Sequence, residues 1–397
     1  MNFVKKTKSI LYGMEFTHGI RRALMAALAL IYFISLGFSV VSVTTLFAIS
    51  GIIMMFFEFP TGAIADYDSR KKSLTISFFL LFVAFLGIFL FKNFWLLALS
   101  WILGDIAWTF STGAGSAWAI DALNYAKEKS KLISLISKGY VFEKSGYIIG
   151  GLIGFVIVAI NFRFVWLAVS LTNLFMMFII IFYMEERNFK PEKVPHSHLK
   201  KSLIKAKESF SYVLHKSNKE LRTLLLGSFI SVVAISSFFV GVPLLFTQVL
   251  GMKPEFLAGL FSLFAVISLG APFLAEKISH KNGFRIPLII VSLILGISII
   301  VFSQAIYLIF AIIILGIFKF AGTINDVLED SARQHEYSSK IRASLGSLNS
   351  INWTISNSIG IFLAGIGISF LGLVNTMVIS GIIGIFVAVV YLLGLKK

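Results

Sequence analysis

The sequence contains no cysteine, and only 14% of its 397 residues are charged. The absence of cysteine excludes disulfide bonds, thiol nucleophiles and cysteine-ligated metal centres. The chain also lacks a Gly-x-x-x-x-Gly-Lys-Ser/Thr run, the phosphate-binding loop of many proteins that hydrolyse ATP. No group of residues typical of an enzyme stands out. We therefore predict that the protein is not an enzyme and needs no cofactor.

Long apolar runs are abundant in this sequence. Apolar residues make up 57% of the chain, and stretches such as LTISFFLLFVAFLGIFLF and ISGIIGIFVAVVYLLGL recur throughout. A helix needs roughly 20 mostly apolar residues to cross a hydrocarbon core of about 30 Å. The composition therefore predicts an all-α polytopic membrane protein that is surrounded by the lipid bilayer.

Hydropathy divides the chain into twelve predicted membrane-spanning helices. They form two six-helix halves, residues 1–189 and 221–397, joined by a cytoplasmic linker at residues 190–220. The predicted spans are 9–35, 41–62, 73–91, 94–120, 131–160, 163–184, 222–248, 255–276, 286–303, 306–328, 343–370 and 374–394.

Basic residues indicate the orientation of these spans. An even number of spans places both termini on one side of the membrane, and 27 of the 35 Lys and Arg residues fall in the segments on that side. Cytoplasmic loops carry such an excess of basic residues. We therefore expect a protein of the cytoplasmic membrane with both termini in the cytoplasm. The net charge of +16 then reflects topology and not the binding of nucleic acid.

The linker contains a predicted helix of its own. Apolar residues from Leu199 to Leu214 recur at helical spacing among lysines, which is typical of a helix that lies on the anionic inner leaflet. His196 and His198 precede this helix without a third potential ligand nearby, so we predict no metal site.

The loop after the second span carries a motif that the second half repeats. GAIADYDSRKKSL follows the second span and PFLAEKISHKNGF follows the eighth, at an offset of roughly 210 residues, and repeated halves of this kind are common in secondary transporters. The first copy resembles the inner-loop signature of the major facilitator superfamily, Gly-x-x-x-Asp-Arg-x-Gly-Arg-Lys. Gly62, Asp66, Arg70 and Lys71 match it. The resemblance implies a breakable clasp between the halves, in which the small residue allows close helix approach.

The fifth and fourth spans carry further matches. GYIIGGLIG resembles the superfamily's antiporter-associated signature through Gly146, Gly150, Gly151 and Gly154. Small residues at this spacing also let membrane helices pack closely, and both interpretations stay open. FWLLALSWILGDIAW aligns with the fourth-helix signature, where Trp101 replaces the arginine of proton-coupled members.

The first span contains a cluster of ionisable side chains. At 100° per residue, Glu15, His18 and Arg22 fall on one helix face and Arg21 widens it. Charges facing lipid cost roughly 3 kcal/mol each at mid-bilayer, so we expect this face to border a cavity or ionic partners. The candidate partners at membrane depth are Glu58, Asp105, Glu143, Lys144 and Lys319. A permanent ion-pair network that holds the helices together is the alternative to a substrate and proton pathway.

These observations predict a twelve-helix secondary transporter that rocks its halves around a charged site. The first choice of activity is proton-coupled efflux of small amphipathic or drug-like compounds, with Glu15, Asp105 and Glu143 as candidate proton carriers. The alternatives are a carrier for an organic anion or zwitterion, and a membrane sensor, scaffold or lipid scramblase. We expect a small-molecule substrate and a monomer.

Overall fold

The structure, a computed structural model, describes residues 3–128, 131–187, 210–215, 218–337 and 342–396. The helices in these ranges are α1 (Phe3–Ser35), α2 (Val40–Ala63), α3 (Arg70–Leu90), α4 (Phe94–Thr109), α5 (Ala114–Tyr125), α6 (Leu132–Ile160), α7 (Phe164–Tyr183), α8 (Lys219–Leu244), α9 (Pro254–Ile267), α10 (Ala271–Asn282), α11 (Arg285–Ser303), α12 (Leu308–Glu336), α13 (Arg342–Leu371) and α14 (Leu373–Gly394). Most of the predicted linker helix, with His196 and His198, lies outside the described residues.

The predicted helical membrane fold is confirmed. Within the described ranges, eleven helical stretches are long and apolar enough to cross a membrane. The two parts of α1, Phe3–Ala26 and Leu28–Ser35, make a twelfth span when counted together, with a bend of 49° between them. The ionisable cluster from Glu15 to Arg22 therefore lies within the first helix and does not precede it.

Two spans end in π-helical turns. α2 continues into the turn Ile64–Asp68, and α8 continues into Leu245–Val249. Each turn follows a proline inside its helix, Pro60 and Pro243. Because proline has no N–H and its ring crowds the preceding turn, the regular hydrogen-bond ladder is interrupted there.

The fourth and eighth spans are interrupted where the sequence predicts single helices. α4 ends at Thr109 and α5 begins at Ala114, so the predicted helix 94–120 contains a turn. A 3₁₀ turn, Ser268–Gly270, separates α9 from α10 within the predicted helix 255–276. Hydropathy alone does not reveal these breaks, because the residues on both sides are apolar.

Packing divides the chain into two compact units that differ from the two sequence halves. The first unit comprises residues 1–36, 53–199 and 254–265. The second comprises residues 37–52, 200–253 and 266–397. Each unit thus contains a segment from the other half of the sequence: most of α9 belongs to the first unit and the start of α2 to the second.

Glycines bring α1 and α6 close together in the first unit. A Cβ atom on Gly150 would lie 2.7 Å from the Cα atom of Ile20, and one on Gly146 would overlap the backbone of Phe16. Gly151 and Gly154, on the same helix, face α9 and would place a Cβ atom against Ala258. The glycines of the GYIIGGLIG segment therefore occupy helix contacts that leave no room for a larger side chain.

Polar side chains join the helices of the second unit. Ser236 on α8 donates a hydrogen bond to Asn357 on α13, at 2.7 Å. The buried Glu329 of α12 accepts hydrogen bonds from Arg333, at 3.0 Å, and from the hydroxyl of Tyr391 on α14, at 2.7 Å. Such bonds satisfy buried polar groups that would otherwise be costly.

Candidate functional site

The first unit contains a partly open cavity of about 300 Å³. Helices α1, α4, α5 and α6 and the α4–α5 turn surround it. Four predicted site residues contribute to its wall: Glu15, His18, Arg22 and Glu143. The other lining residues are Leu11, Met14, Trp108, Ser111, Thr112, Gly113, Gly115, Ser116, Ile120, Leu135, Ile136, Gly139 and Tyr140. The predicted polar face of α1 therefore borders a cavity, which we call the first-unit cavity.

Two of the residues that line this cavity form an ion pair. The guanidinium group of Arg22 on α1 donates a hydrogen bond to the carboxylate of Glu143 on α6. The Glu143 side chain is only 11% exposed, whereas that of Arg22 is 51% exposed. A buried carboxylate needs a charged or hydrogen-bonding partner, and Arg22 supplies it from the more open side.

Glu15 lies beside this pair. Its side chain is half-buried, and Glu143 and Arg22 both act on it electrostatically. Within the part of the chain that the structure describes, Glu15 has no hydrogen-bond or ion-pair partner. Its carboxyl group is therefore available to a proton or to a positively charged group that enters the cavity.

His18 lies buried between aromatic rings. Its Nε2 atom is 3.1 Å from the hydroxyl oxygen of Ser111, and its ring stacks on Phe78 and meets the edge of Trp108. Arg21 and Arg22 act on the imidazole electrostatically, so a protonated ring would meet two other positive charges. Nδ1 has no hydrogen-bond partner among the described residues.

Arg21 is held outside the cavity wall. The side chain is buried, and its guanidinium carbon lies 4.5 Å from the centre of the Trp108 ring, a cation–π contact. Asp105, which is half-buried on α4, acts on Arg21 electrostatically together with Glu143. Arg21 and Asp105 do not line the cavity, and they interact electrostatically beside it.

Three other predicted site residues are placed elsewhere. Lys144 is exposed, because it follows Glu143 by one residue and points about 100° away around α6. Glu58 is half-buried on α2 and does not line the first-unit cavity. Lys319 belongs to the second unit, where its Nζ atom lies 4.1 Å from the centre of the Phe239 ring.

The predicted clasp residues make contacts within the first unit. Arg70 forms an ion pair with Asp121 at the end of α5. Asp66 is exposed and Lys71 is half-buried. A Cβ atom on Gly62 would meet no atom of the described residues within 4 Å, and the clasp between the halves stays a prediction.

An acidic segment after α7 also contacts Arg70. The backbone N–H of Arg70 donates to Glu186 at 2.8 Å. The neighbouring Glu185 pairs with Lys6 at 2.7 Å and with Arg187. Hydrogen bonds from Lys6 and then from Arg187 lower the pKa of the Glu185 carboxyl. These ion pairs and hydrogen bonds connect the start of α1, the α2–α3 loop and the segment after α7.

The Arg70–Asp121 pair leads to a stability prediction. We expect Asp121→Asn to lower the free energy of unfolding of the purified protein by about 1 kcal/mol, because the Arg70 side chain loses its anionic partner. Asp68→Asn serves as the control, since Asp68 pairs with the exposed Lys72 and with no other cation among the described residues. Thermal unfolding in detergent measures both, and equal midpoints would contradict the prediction.

Sequence reasoning missed two polar arrangements. The first is the α4–α5 turn, which brings Ser111 and Thr112 to the cavity; its signal is the small, polar run STGAGS at residues 111–116. The second is the Glu329–Arg333–Tyr391 network, in which Tyr391 lies 62 residues after Glu329. Among the described residues, no group of three or more His, Asp or Glu is arranged to hold a metal ion.

Comparison with known proteins gives a consistent result. The family model of the Major Facilitator Superfamily matches residues 11–339. No curated protein matches the chain. The chain is similar to the crystal structure of a mutant of the nucleoside transporter NupG, with a TM-score of 0.83, 12% identity and 100% of both chains covered. It is also similar to a POT family transporter in complex with 5-aminolevulinic acid (TM-score 0.79, 15% identity, 97% of this chain and 95% of that chain). A third similar structure is the human organic anion transporter MFSD10 (TETRAN), with a TM-score of 0.65, 13% identity, and 98% and 99% covered.

Proposed function

The chain belongs to the major facilitator superfamily, and from this premise we propose that it is a secondary transporter that couples proton movement to the carriage of a small organic solute by alternating access. The observation that carries the proposal is the carboxyl group of Glu15, which has no hydrogen-bond or ion-pair partner among the described residues and lies beside the Arg22–Glu143 ion pair in the first-unit cavity.

Glu15 supplies the proton site in this proposal. A carboxyl group binds a proton more readily when water is withdrawn from it and releases the proton when water returns. Alternating access changes the hydration of a cavity in this way. The two charges of the Arg22–Glu143 ion pair next to Glu15 stay fixed. A proton that binds to Glu15 therefore changes the net charge of the cavity by one unit. This change alters the binding free energy of a charged or polar solute in the same cavity, which couples solute binding to proton binding.

The lining provides polar groups for a compact solute beside its apolar side chains. Hydroxyl groups of Ser111, Thr112 and Ser116 share the cavity with the charged residues. A nucleoside and 5-aminolevulinic acid, the compounds named for two similar structures, are small polar molecules of this kind. Export of amphipathic or drug-like compounds stays a prediction from the sequence, and so does antiport as the coupling mode.

The cellular setting follows the distribution of basic residues. We propose a protein of the cytoplasmic membrane with both termini in the cytoplasm, because Lys and Arg are concentrated in the loops on that side. That it is a monomer stays a prediction. The proton is the proposed coupling ion, and no other cofactor is part of the proposal.

Proton flux tests this function. In proteoliposomes that contain a pH-sensitive dye, we expect added solutes from a panel of cations, anions and neutral compounds to evoke proton movement. Glu15→Gln should reduce the evoked flux at least tenfold, since an amide cannot take up the proton. Glu128→Gln is the matched control, because Glu128 pairs with the neighbouring Lys131 and lies outside the cavity.

The same experiment can reject the proposal. If no solute evokes proton movement in wild-type vesicles that are shown to hold folded protein, proton-coupled transport is contradicted. If Glu15→Gln retains the full evoked flux, the proton site is wrongly assigned.

A further inference from the structure

Trp108 contacts three polar side chains of α1. It lies in the last turn of α4, and its indole ring forms part of the wall of the first-unit cavity. The guanidinium carbon of Arg21 lies 4.5 Å from the ring centre and that of Arg22 lies 5.5 Å from it, both within the range of a cation–π contact. The ring of His18 stands at 90° to the indole, with 4.6 Å between the ring centres. One aromatic side chain therefore lies against most of the polar face of α1.

Arg21 has the Trp108 ring as its main partner. The side chain is 6% exposed and forms no ion pair among the described residues. Its one hydrogen bond there joins Nη1 to the Met25 sulfur at 3.3 Å, and a thioether is a weak acceptor. Asp105 and Glu143 act on the guanidinium group electrostatically. Since a buried cation is costly without compensation, the negative face of the indole stabilises Arg21 where it lies.

Arg22 has a second carboxylate nearby on its own helix. Glu15 precedes it by about two helical turns, so both side chains project from the same face, and Arg22 leans towards Glu15 because helical side chains tilt towards the N-terminus. Glu15 packs on α6, since a Cβ atom on Gly139, one turn before Glu143, would lie 3.7 Å from its Cγ atom. The guanidinium group of Arg22 acts on both carboxylates and yet pairs with Glu143.

Resting on the proposed function, which assigns the proton to Glu15, we propose that Trp108 is a positioning residue whose ring holds the guanidinium groups of both arginines away from the Glu15 carboxyl group. The ring keeps Arg21 behind the cavity lining and Arg22 against Glu143. Guanidinium groups on adjacent residues repel each other, and a shared aromatic face offsets this repulsion. A guanidinium group on Glu15 would bind the carboxylate oxygens that take up the proton. Without the ring, we expect an arginine to pair with Glu15 and to block the proton site.

Carbodiimide labelling of the purified full-length chain tests this role without a solute. Dicyclohexylcarbodiimide takes up the proton of a protonated carboxyl group before the carboxylate adds to its central carbon, and mass spectrometry measures the product. In wild type we expect Glu15 to be labelled about tenfold more than Glu143, which Arg22 holds as a carboxylate. Trp108→Leu should lower the labelling of Glu15 about tenfold. Trp108→Phe keeps an aromatic face and should stay within about threefold of wild type.

Removal of the arginines separates positioning from packing. At least one of Arg21→Gln and Arg22→Gln should raise the labelling of Glu15 about tenfold more in the Trp108→Leu background than in the wild-type background, because it removes the group that covers Glu15. A loss of labelling through altered packing alone gives the same factor in both backgrounds. Trp95→Leu is the matched control, since Trp95 is also on α4 but is 76% exposed and outside the cavity lining.

Three results would overturn the positioning role. They are unchanged labelling of Glu15 in a folded Trp108→Leu variant, equal factors for the arginine substitutions in both backgrounds, and equal labelling of Glu15 and Glu143 in wild type. Trp108→Met replaces Trp108→Leu if the latter fails to fold, and the wild-type comparison needs no variant. If labelling follows the expectation but no solute evokes proton flux, the positioning role stands and proton-coupled transport fails. If solutes evoke proton flux while Trp108→Leu is labelled like wild type, transport stands and the positioning role fails.

Discussion

Replacing Arg22 with alanine is expected to abolish solute transport and to lower the free energy of unfolding by about 3 kcal/mol. The substitution leaves the Glu143 carboxylate 11% exposed and without its cation. Removing one partner of a buried pair costs roughly 3–5 kcal/mol, and the partial exposure of Arg22 places the expected cost at the lower end. Transport falls because the charge balance around Glu15 changes at the same time.

A double-mutant cycle separates the interaction energy of the Arg22–Glu143 pair from the effects of the two single substitutions. Arg22→Ala combined with Glu143→Ala removes both charges, so we expect the double variant to regain most of the stability that Arg22→Ala loses. Transport should not return, since the cavity has lost its fixed charges. Lys138→Ala is the control for a lost cation, because Lys138 is exposed on α6. Thermal unfolding and solute uptake measure the set, and an additive cycle would contradict the assigned pairing.

Gly150→Ala is expected to destabilise the protein by about 2 kcal/mol, whereas Gly259→Ala should stabilise it slightly. A methyl group on Gly150 would lie 2.7 Å from the Cα atom of Ile20, and backbone cannot move away as a flexible side chain does. Overpacking of this kind costs roughly 1–3 kcal/mol. The same methyl group on Gly259 meets its nearest atom at 3.9 Å. There the helix gains roughly 0.5–1 kcal/mol from the better helix former.

The opposite signs make this pair informative. Both substitutions add one methyl group to a helix of the first unit, so a general effect of side-chain size moves the two melting temperatures in the same direction. A lower midpoint for both variants would show that α9 is packed more tightly than the structure indicates. An unchanged midpoint for Gly150→Ala would show that α1 and α6 can separate.

Much of the fold is predictable from the sequence, because membrane helices are specified by length and hydropathy. The predicted span 131–160 and the observed α6, Leu132–Ile160, differ by one residue. The predicted polar face of α1 also follows from the sequence alone, since helical periodicity places Glu15, His18 and Arg22 on one side.

The partners of that face are not predictable from the sequence. Four cations and four carboxylates at membrane depth allow many pairings, and only packing selects Arg22 with Glu143. The turn between α4 and α5 is also hard to foresee, because the hydropathy of the fourth span outweighs the weak turn signal at Gly113. That turn brings Ser111 and Thr112 to the first-unit cavity.

The most direct test of the account is solute uptake driven by an imposed pH gradient. Proteoliposomes with wild-type protein, Glu143→Gln or Lys138→Gln are supplied with a labelled solute that evokes proton flux. The account predicts gradient-driven accumulation by wild type and by Lys138→Gln, and at least a tenfold loss in a folded Glu143→Gln variant, because the cavity loses its fixed carboxylate. Full accumulation by Glu143→Gln would contradict the claim that the first-unit cavity is the transport site.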